Sequence, residues 1–265
     1  MRSSSWIILL ILFLGQNAFG QQYELLRSVE ISHPLRISVD KQNNIYLVSE
    51  NGDVDKYNLM GDLLEHFSPE KPGDVTLIEA WNPLRIFLFY SDFQEYMFLD
   101  RFLTSSNRFS FHHISSYVGL ATMSADNNIW LVDYSDFSLK KYDLTFDKVI
   151  IQQPFDLLLN KDSYEVEFMR EYQNLLFFSV VDKGILIFDN LGNYLKTLEE
   201  TGIGYFGFLK NELYYVKDSE LHFYDIYSAE RRKEEMPSSA DLAMVLENRL
   251  LLISGTDLLI YNRKK

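Results

Sequence analysis

The sequence predicts an all-β chain folded as a six-bladed β-propeller with four-stranded antiparallel blades, and three observations carry that expectation. A two-part motif recurs at intervals of about 37 to 47 residues, a spacing typical of propeller blades. The segments between turn signals are short and rich in Val, Ile, Tyr and Phe, with no sustained 3.6-residue period. One strand-like segment near the N-terminus belongs to no repeat, while the last repeat lacks its fourth strand.

The first half of the motif is clearest at Asp40 to Val48, read as Asp40-Lys41-Gln42-Asn43-Asn44 followed by Ile45-Tyr46-Leu47-Val48, and it returns at Ala125 to Val132. Looser copies begin at Gln173-Asn174, Lys210-Asn211 and Glu247-Asn248. The second half reads aliphatic, variable, variable, aromatic, Asn or Asp. It occurs at Val54 to Asn58, Leu139 to Asp143, Ile185 to Asp189, Leu221 to Asp225 and Leu258 to Asn262. A degraded copy lies at Pro83 to Phe89 with Tyr96 to Asp100. The aromatic side chain suits the space between blades, and the short polar one opens the next turn.

Taken in order, residues 1–20 read as a signal peptide. Arg2 and a serine run precede an apolar stretch from Trp6 to Leu14, too short to span a bilayer, and Ala18 and Gly20 supply the small residues before a cut after Gly20. Residues 21–265 then form one propeller domain. Its blades are expected at Pro34 to Phe67, Val75 to Phe111, Val118 to Gln153, Glu165 to Leu198, Tyr205 to Met236 and Asp241 to Asn262. The N-terminal strand, Tyr23 to Ile31, completes the last blade and so removes an open sheet edge. No later segment is long and apolar enough to be a transmembrane segment after signal cleavage. The expected compartment is the periplasm or the cell exterior. The chain has no cysteine, which excludes disulfides, thiolate metal sites and cysteine nucleophiles.

The runs at Asp40 to Val48 and Asp126 to Val132 resemble the blade signature of exported bacterial six-bladed propellers of the NHL and TolB-like type. The resemblance implies the fold and a binding or scaffolding role.

The formal net charge of -13, with no basic stripe, argues against a nucleic-acid partner. Hydrophobic residues make up 47% of the chain, too many for a disordered one. No nucleophile elbow, phosphate loop or dinucleotide fingerprint is present, so no catalytic residue, cofactor or metal ligand is assigned. None of His33, His66, His112, His113 and His222 has metal-ligand spacing, and on a strand adjacent His112 and His113 would be expected to point to opposite faces. The loops leading into the innermost strands carry His33, Asp74, Tyr117, Tyr164, Glu165, Tyr205 and Asp241, a candidate ligand rim at the channel mouth. Blade two is unusually aromatic, and Phe93, Tyr96 and Phe102 are its candidate partner surface, weighed against burial between blades. Arg231-Arg232-Lys233, followed by Glu234-Glu235, reads as a solvated outer strand.

The expected function is a non-enzymatic protein-binding or scaffolding module, with another protein in or at the outer membrane as its partner, for instance as an accessory subunit of an outer-membrane assembly or secretion machine. A metal-dependent hydrolase, lactonase-like or lyase, with its site at the channel mouth is the alternative. A glycan or small-ligand binder using Tyr117, Tyr164 and Tyr205 is a second.

Overall fold

The computed structural model describes residues 22–104, 107–160 and 165–264, so the leader expected at 1–20 lies outside the described residues, as does Tyr164. Strand β1 (Tyr23–Glu30) is followed by blade one, β2 (Arg36–Val39), β3 (Ile45–Val48), β4 (Val54–Tyr57) and β5 (Leu63–Phe67). Blade two comprises β6 (Leu77–Glu79), β7 (Ile86–Tyr90), β8 (Glu95–Leu99) and β9 (Phe109–Ser110), and blade three β10 (Val118–Met123), β11 (Ile129–Asp133), β12 (Ser138–Asp143) and β13 (Lys148–Pro154). Blade four holds β14 (Val166–Tyr172), β15 (Leu175–Val180), β16 (Gly184–Asp189) and β17 (Tyr194–Leu198). Blade five holds β18 (Phe206–Leu209), β19 (Glu212–Lys217), β20 (Glu220–Asp225) and β21 (Arg231–Glu235). The last three strands are β22 (Leu242–Val245), β23 (Arg249–Ser254) and β24 (Asp257–Arg263).

Five sheets pair in chain order, and the sixth runs β1-β24-β23-β22, which closes the ring as the sequence predicts. The first strand of each blade is innermost, where β2 meets β6, β6 meets β10 and β10 meets β14. Second strands are buried on both faces: every residue of β3, β7 and β11 is inaccessible. They therefore read as continuous apolar runs, because each is sandwiched between neighbouring blades. Outer strands β13 and β21 alternate exposed and half-buried positions along their length, as expected of a sheet with one wet face.

The turns follow from the motif. Asn58, Asp100, Asp143, Asp189 and Asp225 each use one side-chain oxygen to accept two backbone N–H groups of the turn leaving the third strand. That is the mechanistic reason for Asn or Asp there. The hairpin between first and second strands places Asn43 and Asn127 at φ 65°, a conformation Asn tolerates. The turn of blade three starts at Ser124, whose N–H bonds Asn128 as that of Asp40 bonds Asn44, so the counterpart of Asp40 is Ser124 rather than Ala125 or Asp126. Asp40 also accepts the Tyr46 hydroxyl at 2.9 Å. In blade three the equivalent buried Trp130 donates its Nε1–H to Glu171 of blade four at 2.5 Å, so a neighbouring blade supplies the carboxylate.

Closure runs in register from Tyr23 opposite Arg263 to Glu30 opposite Asp257, with Leu26 as an extra residue in a bulge. Polar contacts lock it. Buried Tyr23 donates its hydroxyl to Glu234 of blade five, and Glu234 also pairs with Arg263 and Arg232. Burial pushes the Glu234 carboxyl up, but the bonds from Arg263 and Tyr23 and the Arg263 charge outweigh it and hold the carboxyl below its ordinary range.

Candidate functional site

Two cavities lie on the channel axis, at opposite mouths. The narrower, of 340 Å³, opens where chains enter the innermost strands and is lined by Arg36, Thr76, Glu165, Glu167 and Tyr205 among others. This is the mouth the sequence points to. Of the rim predicted there, Glu165 and Tyr205 line the cavity. His33 is exposed outside it. Asp74 lies 3.8 Å from Arg36. Tyr117 is exposed and meets Tyr134 edge-on. Asp241 accepts the Gly255 N–H at 2.9 Å. Among the described residues, no group of three His, Asp or Glu is placed to hold a metal ion.

The blade-two surface also resolves residue by residue. Tyr96 is only 4% exposed, its ring centroid 4.6 Å from that of Phe111, so it belongs to the interblade core and not to a partner surface. Phe93 is half-buried, with Lys71 3.7 Å above its ring, and exposed Phe102 is covered by Arg101 at 4.6 Å. The chain's own cations occupy these faces.

The wider cavity, 570 Å³, opens at the other mouth, where first-to-second-strand hairpins gather. Its rim comprises Lys41, Asn43, Trp81, Asn82, Asn127 and Gln173, with Arg85, Tyr172 and Phe208 lining the walls. Tyr172 and Phe208 stack nearly parallel at 4.2 Å, and the Trp81 indole is 60% exposed.

A bonded layer separates the cavities. Arg170 of β14 reaches across the axis to Glu79 of β6 at 2.7 Å and to Ser38 of β2 at 3.3 Å. Burial works against its charge, but Glu79 and the phenols of Tyr205 and Tyr214 outweigh that and hold the guanidinium above its ordinary range. Burial pushes both phenols up. Tyr205 lines both cavities and so stands at the partition. Gly207 is what admits Tyr214 to this layer: a Cβ there would sit 2.3 Å from the Tyr214 hydroxyl.

Every carboxylate of the wide cavity is committed. Asp40 accepts from Gln42 N–H, Asn44 N–H, the Asn44 amide and Tyr46. Glu79 takes Arg170 and the Trp81 N–H. Glu171 takes Ser124, the Ala125 N–H and Trp130. A side-chain relay of Asp55, His66 and Ser68, at 2.6 and 2.9 Å, sits on the exposed outer edge of blade one, where neither cavity reaches it.

Sequence reasoning missed this mouth although it found the turns that build it. The repeated Asn-Asn and Gln-Asn dipeptides were legible as punctuation, and only their convergence makes them a rim.

No family model and no curated protein matches the sequence. Solved structures do. A catalytically inactive virginiamycin B lyase from Staphylococcus aureus, solved with quinupristin, is 12% identical with a TM-score of 0.59, over 91% of this chain and 88% of that one. The extracellular domain of a one-component system of B. thetaiotaomicron is 12% identical with a TM-score of 0.57, over 86% of this chain. This chain spans only 32% of that domain. The Pan2 WD40 domain of Neurospora crassa is 7% identical with a TM-score of 0.58, over 92% and 96%. These likenesses establish the propeller fold.

Proposed function

We propose that this propeller is an exported, non-enzymatic binding module that engages another protein through its wide mouth. The observation that carries the reading is a cavity of 570 Å³ walled by aromatic rings and side-chain amides, in which all three lining carboxylates are already saturated. A carboxylate locked between fixed donors is a poor general base, whereas aromatic and amide surface suits recognition. Arg170 and Glu79 line the cavity and bond each other, so an inserted side chain or loop meets a fixed polar surface there. The chain's acidity favours a partner whose remaining surface is basic or neutral. The leader at 1–20 supports export to the periplasm or cell exterior, and a partner in or at the outer membrane fits that compartment.

Site-specific photo-crosslinking in the native host tests it. A crosslinker at Gln173, on the wide rim, is expected to capture a discrete protein that excess unlabelled propeller competes away. The same probe at Asp241, in the loop leading into the innermost strand of the last blade, is expected to capture none. Adducts from Asp241 alone, or equal adducts from both, would overturn the reading. N-terminal sequencing of the exported product is expected to begin at Gln21.

A further inference from the structure

The charges at the wide mouth do not cancel as their formal count implies. Its lining holds three acids, Asp40, Glu79 and Glu171, and three bases, Lys41, Arg85 and Arg170. The acids are consumed internally, and Arg170 is consumed by Glu79. The carboxylates just outside the lining are also paired, Asp126 with Lys141 at 2.7 Å and Glu247 with Lys210 at 2.9 Å. Two cations are left over. Among the described residues, no carboxylate lies within ion-pair distance of Lys41 or Arg85. Exposed Lys41 lies in the Asp40–Asn44 turn, and its backbone N–H bonds the Trp81 carbonyl at 3.2 Å, which holds that turn against the segment carrying the indole. Arg85 is half-buried with its guanidinium 4.0 Å over the Phe98 ring, and burial pulls its pKa below the ordinary range. A half-buried guanidinium set against the Phe98 ring, with the Tyr96 phenol in its field, retains donors for a planar anion. The uncommitted charge of the mouth is thus positive on a chain whose formal net charge is -13.

We propose that the wide mouth takes a carboxylate-bearing segment of the partner protein, with its Asp or Glu side chain against Lys41 and Arg85 and an adjoining apolar residue on the Trp81 indole. This rests on the binding reading above and adds the chemistry of the occupant. Charge complementarity selects a local acid, while the acidic body of the propeller disfavours a uniformly acidic partner. The expected recognition element is therefore a single acid beside an aromatic or aliphatic residue, in an otherwise neutral or basic context.

A soluble library of random decapeptides, selected on the purified exported chain and read by sequencing, tests the chemistry directly. Enriched peptides are expected to share one Asp or Glu next to a large apolar residue. Changing that acid to Lys in a selected peptide is expected to weaken binding about tenfold or more, as loss of one partly desolvated ion pair would. Lys41→Glu should cost the acidic peptide a similar factor and restore the Lys-substituted one. Arg85→Gln, which removes the charge but keeps a polar side chain, should weaken only the acidic peptide. Circular dichroism of each variant separates binding loss from unfolding, and Lys41 lies in an exposed turn whose charge reversal leaves the core untouched. Selected peptides without an acid, or affinities unmoved by Lys41→Glu and Arg85→Gln, would overturn the inference. If Gln173 crosslinks persist in that event, the binding reading stands and only the occupant's chemistry falls.

Discussion

Replacing Glu79 with leucine removes the acid that neutralises Arg170 inside the ring. The two side chains are 9% and 14% exposed and meet at 2.7 Å. Charge centres about 4 Å apart attract by about 4 kcal/mol at an effective dielectric constant of about 20. Leaving one buried partner unpaired costs about 3–5 kcal/mol. Because Arg170 also lines the wide cavity, water relieves part of that, and the expected loss is about 3 kcal/mol. For a domain of this size it corresponds to a melting temperature lower by roughly 6–12 °C. The double variant Glu79→Leu, Arg170→Met replaces both charges by apolar groups and is expected to recover most of the loss. Urea unfolding of the four proteins in a double-mutant cycle is the assay, with a coupling energy of about 2 kcal/mol expected. A single-variant cost below about 1 kcal/mol, or additivity within about 0.5 kcal/mol, would refute the claim that this pair holds the partition.

Three further outcomes are expected. Gly207→Ala, whose Cβ would collide with the Tyr214 hydroxyl, should destabilise by about 1–3 kcal/mol and shift the near-ultraviolet tyrosine signal, and an unchanged urea midpoint would show that the ring yields freely. Glu234 is held below the ordinary carboxyl range, so its contribution to closure is complete above the unfolded-state value and lost as pH falls through the folded one. Stability measured from pH 7 down to pH 3 should therefore fall less steeply in Glu234→Gln than in the parent, and parallel curves would contradict this. Removing residues 23–30 strips β24 of its antiparallel partner and exposes the edge of the last blade. The truncated chain should aggregate or lose its cooperative transition, and adding the excised segment as a peptide should restore the transition if closure is the cause.

The blade count, blade boundaries and ring closure were legible in the residues because they rest on local chemistry. Asn58, Asp143, Asp189 and Asp225 mark turns by bonding their own neighbours, and the apolar runs of β3 and β11 mark strands buried on both faces. Such patterns repeat wherever the same short-range problem recurs. The candidate site was legible only in part. Glu165 and Tyr205 reach a cavity, but Tyr96 is interior, since the strand pattern of blade two does not say which neighbouring blade covers it.

What the sequence determined by itself is therefore the period, the closing strand and the chemistry of each turn. What only the tertiary structure decided is the convergence of distant groups: Arg170 on Glu79 across the axis, Glu171 on Trp130 between blades, and Lys41 and Arg85 beside Trp81 at one mouth. The physical reason is one of range. A turn or a strand is stabilised by residues a few positions apart, whereas a channel and its charge balance exist only after six sheets have been brought around a common axis.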